Sequence, residues 1–436
     1  GFLSLAPPAA GGGEERIEIA PTVVEGARIA PDRTLDDAAA RRELERIPGG
    51  TAVVGREEIT DARAANLVDA LEFVPGVMIR PRFGAADESQ LSVRGSGLRN
   101  NFHLRGINVL IDGFPYGNAD GFSDFESLEL LATKRIEVYK GANALRFGGI
   151  GLGGAINLVT RTGHDAAPLE VRSEGGSFGF HKHYGATGRV SGPFDAFAAF
   201  TDTELDGFRE HAEQVRRRFY ATAGYAAERG ATARLDLNYV QSGEQLPGAL
   251  TREELDRDPR QAEAESVAAD AQRDYDYLRG ALTLRSPLGE AQVLEGSAQA
   301  NYQDLDHPLS FAILTGETYS WSVGTRYILH APLLDRSNRL TLGAEYAATR
   351  QGDVRFENAG GARRGAATRD QTNKATNVGV YLEEQHTLTE RLDLVAGGRF
   401  QYAERSVDDD RSGPEESPDD STDFLDFSPK LGFVYR

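Results

Sequence analysis

Six cationic side chains crowd one short stretch of an otherwise acidic sequence: Arg80, Arg82, Arg94, Arg99, His103 and Arg105. Phe83, Asn100, Asn101 and Phe102 stand among them, and Tyr116, Asn118 and Phe122 follow closely. Arginine forks match carboxylates and phosphates with paired hydrogen bonds, so displayed together they suit an anionic ligand. If the loops at 80–88 and 96–104 meet at one end of the fold, Arg80, Arg82, Phe83, Arg99, Asn100, Asn101, His103 and Tyr116 form a cationic, aromatic and amide-bearing binding surface. The alternative is mechanical: the arginines pair with Asp87, Glu88 or carboxylates of a surrounding wall and wedge the segment in place. Arg94 and Arg105, each directly before a glycine, fit that second role; Arg80, Arg82 and Arg99 fit the first.

No other set of residues reads as reactive. The sequence has no cysteine, which removes thiol nucleophiles, disulfides and cysteine-based zinc sites. H-E-x-x-H, Walker A and G-x-S-x-G patterns are also missing, so nothing marks an enzyme, and neither a cofactor nor a resident metal is expected. His181 and His183 share a strand face, but two ligands without a third do not make a metal site. The acidic run in 404–426 (Asp408, Asp409, Asp410, Glu415, Glu416, Asp419, Asp420) matches no calcium-loop spacing and reads as solvated charge. Gly149, Gly151 and Gly154 spell G-x-G-x-x-G, which in a dinucleotide site is followed by a helix. Here Ile156, Leu158 and Thr160 repeat with a period of two, so a strand follows. A net charge of −19 argues against a nucleic-acid partner.

The elements that would carry the cationic loops fall in residues 44–165. Thr51–Val54 reads as a strand, 56–59 and 66–73 as helical pieces with Asp61 a candidate cap, and 77–80, 90–94, 108–112 and 135–139 as strands. Asp112-Gly113 signals a tight turn between apolar flanks. Residues 1–43 are rich in Ala, Pro, Gly and charge and read as a flexible arm. Inside the arm, Ile17, Glu18, Ile19, Ala20, Pro21, Thr22, Val23 and Val24 form a β-prone island able to add a strand to a partner's sheet.

From residue 166 onward the chain becomes a series of alternating segments, about twelve in all. Leu235, Leu237 and Tyr239 alternate with Arg234, Asp236 and Asn238, for example, and Leu340, Leu342 and Tyr346 with Arg339, Thr341 and Glu345. No run approaches the roughly 20 apolar residues of a membrane helix, so a membrane protein of this sequence must span as a closed β-barrel. Connections alternate between short ones and long ones at 242–275, 303–318, 350–374 and 404–426, the sorting of a barrel with turns on one rim and loops on the other.

These pieces resemble a TonB-dependent outer-membrane receptor of the ferric-citrate and siderophore type. The resemblance rests on five ordered pieces: Ile47-Pro48-Gly49-Gly50; residues 67–77 (LVDALEFVPGV); Leu91-Ser92-Val93-Arg94-Gly95; Leu110-Ile111-Asp112-Gly113-Phe114-Pro115; and residues 136–163. It implies a mainly β protein: a transmembrane antiparallel β-barrel at 166–436 with an α/β plug domain at 44–165 in its lumen. About twelve strands are about half of the roughly 22 in a plugged transporter barrel, so the sequence reads as a C-terminally incomplete receptor. The resemblance further implies a Gram-negative outer-membrane location, contact with lipid and lipopolysaccharide, and a ferric chelate as cargo. Residues 17–24 become the TonB box, and the partner becomes TonB with its proton-driven inner-membrane complex. Cobalamin, haem, zinc or copper chelates are alternative cargoes, and a surface-binding barrel that transports nothing is an alternative role. Import also implies a plug held in a wet lumen by polar contacts that water can replace at small net cost.

Overall fold

The structure, a computed structural model, describes residues 33, 35–81, 89–96, 106–123, 125, 127–141, 147–148, 151, 153–409 and 420–435. The N-terminal elements are α1 (Asp37–Leu44), β1 (Thr51–Val54), α2 (Arg56–Asp61), α3 (Leu67–Leu71), β2 (Val77–Pro81), β3 (Ser89–Val93), β4 (Ile107–Ile111), β5 (Phe114–Pro115), β6 (Thr133–Lys140) and β7 (Gly154–Thr160). They form a five-stranded sheet of order β1-β6-β7-β4-β5 and a separate β2-β3 hairpin. β4 and β7 run parallel; the other pairs are antiparallel.

Local chemistry explains most of these boundaries. The Asn66 side chain accepts from the Val68 and Asp69 amides and so starts α3; the cap is Asn66, not Asp61, which closes α2. Asp112 and Gly113 both have positive φ, as a two-residue turn between twisted strands requires, and join β4 to β5. The segment after the glycine-rich stretch is β7, buried along its whole length, which removes the helix a dinucleotide site would need. Gly154 opens β7 with φ +140, where any Cβ would collide with the Tyr139 carbonyl. α1 lies within the stretch read from composition as an arm. Its sequence, DAAARREL, is made mostly of strong helix formers, and the Asp36 side chain caps it.

The remaining strands are β8 (Glu170–Gly175), β9 (His181–Ser191), β10 (Phe194–Leu205), β11 (Gln214–Ala226), β12 (Thr232–Gln245), β13 (Gln272–Pro287), β14 (Gln292–Pro308), β15 (Ile313–His330), β16 (Asn338–Asn358), β17 (Arg364–Thr389), β18 (Leu392–Asp409) and β19 (Asp420–Tyr435). They form one 12-stranded antiparallel sheet in chain order. The expected connections at 303–318 and 350–374 are not loops. β14 and β15 stay paired to Pro308↔Ile313, and β16 and β17 to Asn358↔Arg364. β17 is 26 residues long, whereas a tilted strand crosses a bilayer in about 9–11. The surplus carries polar residues on both faces, and without lipid on one side the alternation that marks a spanning strand disappears. Between β12 and β13 the connection is long and holds two short helices, Arg252–Arg257 and Ala264–Ala269.

The large sheet is inverted relative to a soluble one. On β12, Leu235 and Leu237 are 59% and 41% exposed on the outer face, while Asp236 and Asn238 are 2% and 3% exposed on the inner face. Trp321, Val323, Val380, Phe400 and Phe433 continue the apolar exterior. Arg279, Thr341, Asp393 and Arg399 continue the polar interior. An apolar surface of this extent needs hydrocarbon against it. No helix among the described residues is long and apolar enough to cross a membrane, so the strands make the crossing.

Candidate functional site: the joint between plug and wall

The inner face of the large sheet wraps the N-terminal unit, and its strands meet that unit one after another. Arg172 on β8 donates to the Thr60 carbonyl at 2.7 Å. Lys182 on β9 donates to the carbonyls of Arg63 and Ala64 at 2.7 and 3.0 Å. The Tyr220 hydroxyl on β11 lies 2.9 Å from Thr160 Oγ1, and Asn238 on β12 donates to the Ser127 carbonyl at 2.9 Å. Further round, Gln299 on β14 donates to the Pro115 carbonyl, Ser320 on β15 to Asn118 Oδ1 at 3.0 Å, and the Ala119 amide donates to Thr349 on β16 at 2.8 Å. Asn377 on β17 and Arg405 on β18 both donate to the Ala119 carbonyl, and Gly432 on β19 lies against Pro48.

One cluster joins three parts of the chain. Arg33 places one guanidinium nitrogen 2.5 Å from Asp112 at the end of β4 and donates to both carboxylate oxygens of Asp236 on β12 at 3.1 and 3.2 Å. Asp112 accepts from the Thr160 amide and hydroxyl at 2.9 and 2.8 Å, and Tyr220 donates to Asp236 at 2.8 Å. Burial pulls the Arg33 guanidinium down, but the Asp112 and Asp236 carboxylates together hold it above its ordinary value, so it stays charged. Burial leaves the Asp112 carboxyl raised despite Arg33. A second buried cluster lies within the small sheet: Arg135 donates to Glu137 at 2.8 Å, and Tyr139 and Asn157 donate to the other Glu137 oxygen at 2.8 and 3.0 Å.

The joint is not the uniformly polar one that import seemed to require. The apolar core of the N-terminal unit runs on into the wall through Tyr184 on β9, Phe197 on β10, Tyr220 on β11, Val240 on β12, and Tyr275 and Tyr277 on β13. From β14 this core gains only the partly buried Leu305, and among the described residues β15–β19 add nothing. One side of the interface is therefore dry and ion-paired. The other is held by hydrogen bonds to residues 115–119, all from neutral groups except that of the Arg405 guanidinium, beside a cavity lined in part by Ser297, Gln299, Asn301, Ser322 and Gln401. A neutral hydrogen bond nets only about 0.5–1.5 kcal/mol because water replaces it. Stripping Arg33 from two buried carboxylates costs about 3–5 kcal/mol.

Most of the residues expected to bind ligand lie outside the described ones: Arg82, Phe83, Arg99, Asn100, Asn101 and His103, and with them Arg105. So do residues 17–24. Arg80 is exposed on β2. Tyr116 is 3% exposed and packs against Tyr277, with ring centroids 5.7 Å apart. Arg94 donates to the Gly49 carbonyl from a positive-φ position, a contact within the N-terminal unit and not to a carboxylate of the wall. His181 and His183 are both exposed on β9, and His183 pairs with Ser173. No described group of His, Asp or Glu is arranged to hold a metal. The Arg33–Asp112–Asp236 cluster was missed, because its members are scattered along the chain and only the fold unites them. Inward aromatics at alternate positions (Tyr275, Tyr277) were a readable sign of the dry side.

Comparison with known proteins agrees with this geometry. Residues 43–155 match the TonB-dependent Receptor Plug Domain family, and residues 171–436 match the TonB dependent receptor-like β-barrel family. Among curated relatives, the vitamin B12 transporter BtuB of Photobacterium profundum is 27% identical over 173 residues, covering 38% of this chain and 27% of that protein. The iron-regulated outer membrane virulence protein of Vibrio cholerae is 30% identical over 126 residues, 27% of this chain and 18% of that one. The chain thus aligns with less than a third of either relative. Among solved structures, the unliganded ferric citrate transporter FecA superposes with a TM-score of 0.78 at 20% identity, over 93% of this chain and 63% of that one. The siderophore receptor PiuA of Acinetobacter baumannii gives 0.69 at 14%, over 94% and 65%. The inverted sheet, the domain it wraps and the two family matches together make this chain a TonB-dependent receptor of the outer membrane.

Proposed function

We propose that the chain serves in active import of a ferric chelate, a siderophore complex or ferric citrate, across the outer membrane, energised by TonB. The observation that carries this reading is the position of Arg33. It stands nine residues after the segment 17–24 in the chain and bridges the plug (Asp112) to the wall (Asp236), so a pull on the preceding residues would be carried to the joint between plug and wall. The ferric-citrate and siderophore receptors among the similar structures support iron as cargo. Deleting residues 14–25 is expected to abolish uptake of radio-iron ferric citrate or siderophore while leaving binding intact; uptake that persists rules out TonB coupling. Arg82→Ala and Arg99→Ala are expected to weaken chelate binding, and unchanged affinity with lowered thermal stability would assign those arginines to wedging the plug.

A second cargo has a specific observation behind it, the likeness to a vitamin B12 transporter. Cobalamin and a panel of ferric chelates offered to the same cells separate the two by which one rescues growth.

A further inference from the structure

The apolar outer face of the large sheet gives way to a charged band toward one rim. Short turns at 192–193, 227–231, 288–291 and 390–391 mark the opposite rim, so the band lies on the extracellular side. On β13, β14 and β15 the band begins with Asp276, Asp304 and Glu317, which stand directly opposite one another in register. On β16 and β17 it begins with Arg350 and Lys374, also directly opposite each other. Both cations are exposed, while Thr349 and Ala375 beside them are buried on the inner face. On β18 the band returns to a carboxylate, Glu404, and on β11 Arg217 is matched by Asp202 at 3.2 Å. Like charges facing each other across a strand pair are destabilising. Tyrosine hydroxyls ease the acidic arc: Tyr239 donates to Asp276 at 3.3 Å, and Tyr302 and Tyr319 donate to Glu317 at 3.2 and 2.9 Å. The cationic pair has less support. Lys374 pairs with Asp408, and among the described residues Arg350 has neither a hydrogen bond nor an ion pair.

We propose that Arg350 and Lys374 hold a phosphate of lipid A, the phosphorylated glycolipid of the outer leaflet, on the β16–β17 arc of the barrel. Below the two cations, Trp321, Tyr346, Val378 and Val380 are exposed on the lipid-facing surface. An occupant of this place needs an anion above hydrocarbon, which a lipid supplies and a soluble anion does not. A phosphate monoester carries about −1.5 to −2 charges at pH 7 and so answers two cations, where a phosphodiester answers one. The Arg350 fork can take two of its oxygens, with Lys374 beside it as a point charge. On the β13–β15 arc the same headgroup would meet Asp276, Asp304 and Glu317, so the lipid is held on one arc and turned away from its neighbour. The assignment needs the outer-membrane location and is independent of what the receptor imports.

The single tryptophan offers a test, because Trp321 pairs with Ala348 on β16, two residues before Arg350. The full chain is folded into phosphatidylcholine vesicles that contain increasing fractions of dansyl-labelled lipid A, and energy transfer from Trp321 reports the local enrichment. Transfer is expected to saturate at a low fraction of lipid A. The double variant Arg350→Gln with Lys374→Gln should need at least tenfold more lipid A for half-saturation, whereas Arg217→Gln should stay within twofold of the unaltered chain. With the unaltered chain, dansyl-labelled lipid A stripped of its phosphates and dansyl-labelled phosphatidylglycerol should each need at least tenfold more. A smaller loss in the double variant, a comparable loss in Arg217→Gln, a smaller loss with either substitute lipid, or transfer that never saturates overturns the proposal. Each variant is first checked for the heat-modifiable, protease-resistant form. If the double variant does not reach it, the comparison of the three lipids on the unaltered chain decides alone.

Discussion

The two sheets of this protein use the same alternation of residues to opposite ends. The small sheet hides both faces: β7 is buried at every position, and its polar groups, such as Asn157, are spent on internal partners like Glu137. The large sheet hides a mostly polar face, interrupted by inward residues such as Phe197, Val240, Tyr275 and Tyr277, and leaves most of its leucines and many of its valines and aromatics outside. Alternation alone therefore does not say which face is the inside. What lies against each face decides it: protein on both sides of the small sheet, and protein on one side with hydrocarbon on the other for the large one.

Three substitutions test that contrast. The largest effect is expected where the small sheet buries charge. Glu137→Ala leaves Arg135 in a dry interior and should destabilise the plug by about 3–5 kcal/mol in chemical denaturation, whereas a sheet open to water at that point would lose far less. Next comes the outer face. Leu237→Arg, near the middle of β12, should cost about 2–4 kcal/mol of folding free energy in vesicles, read from the fraction reaching the protease-resistant, heat-modifiable form. The same substitution would be nearly neutral if that face met water. The smallest is a helix end in the plug: Asn66→Ala removes the cap of α3 and should cost about 1 kcal/mol while leaving the large sheet unchanged.

How much of this was legible in the sequence follows the same physics. Lipid forces the strict alternation at Leu235–Tyr239 and Leu340–Tyr346, so the spanning strands could be read directly. Beyond the lipid, β16 and β17 pair in water on both faces, no pattern is enforced, and the extended hairpin looked like a loop. The plug's strands were readable from β-branched runs and turn residues, but α1 hid among alanines and charges next to a Pro- and Gly-rich stretch. The cationic loop residues were visible by composition; what they do depends on a neighbourhood that composition does not specify. The joint at Arg33, Asp112 and Asp236 belongs wholly to the fold, since three charges far apart in sequence carry no local sign that they meet.

A single residue reports on the inverted sheet. The sequence contains one tryptophan, and Trp321 projects from the outer face of β15, 46% exposed. With the chain folded into phosphatidylcholine vesicles, its fluorescence should be quenched strongly when the acyl chains are brominated and hardly at all by aqueous acrylamide. Strong acrylamide quenching with no response to the brominated lipid would mean that this face meets water, and the membrane-spanning sheet around an internal plug would have to be abandoned.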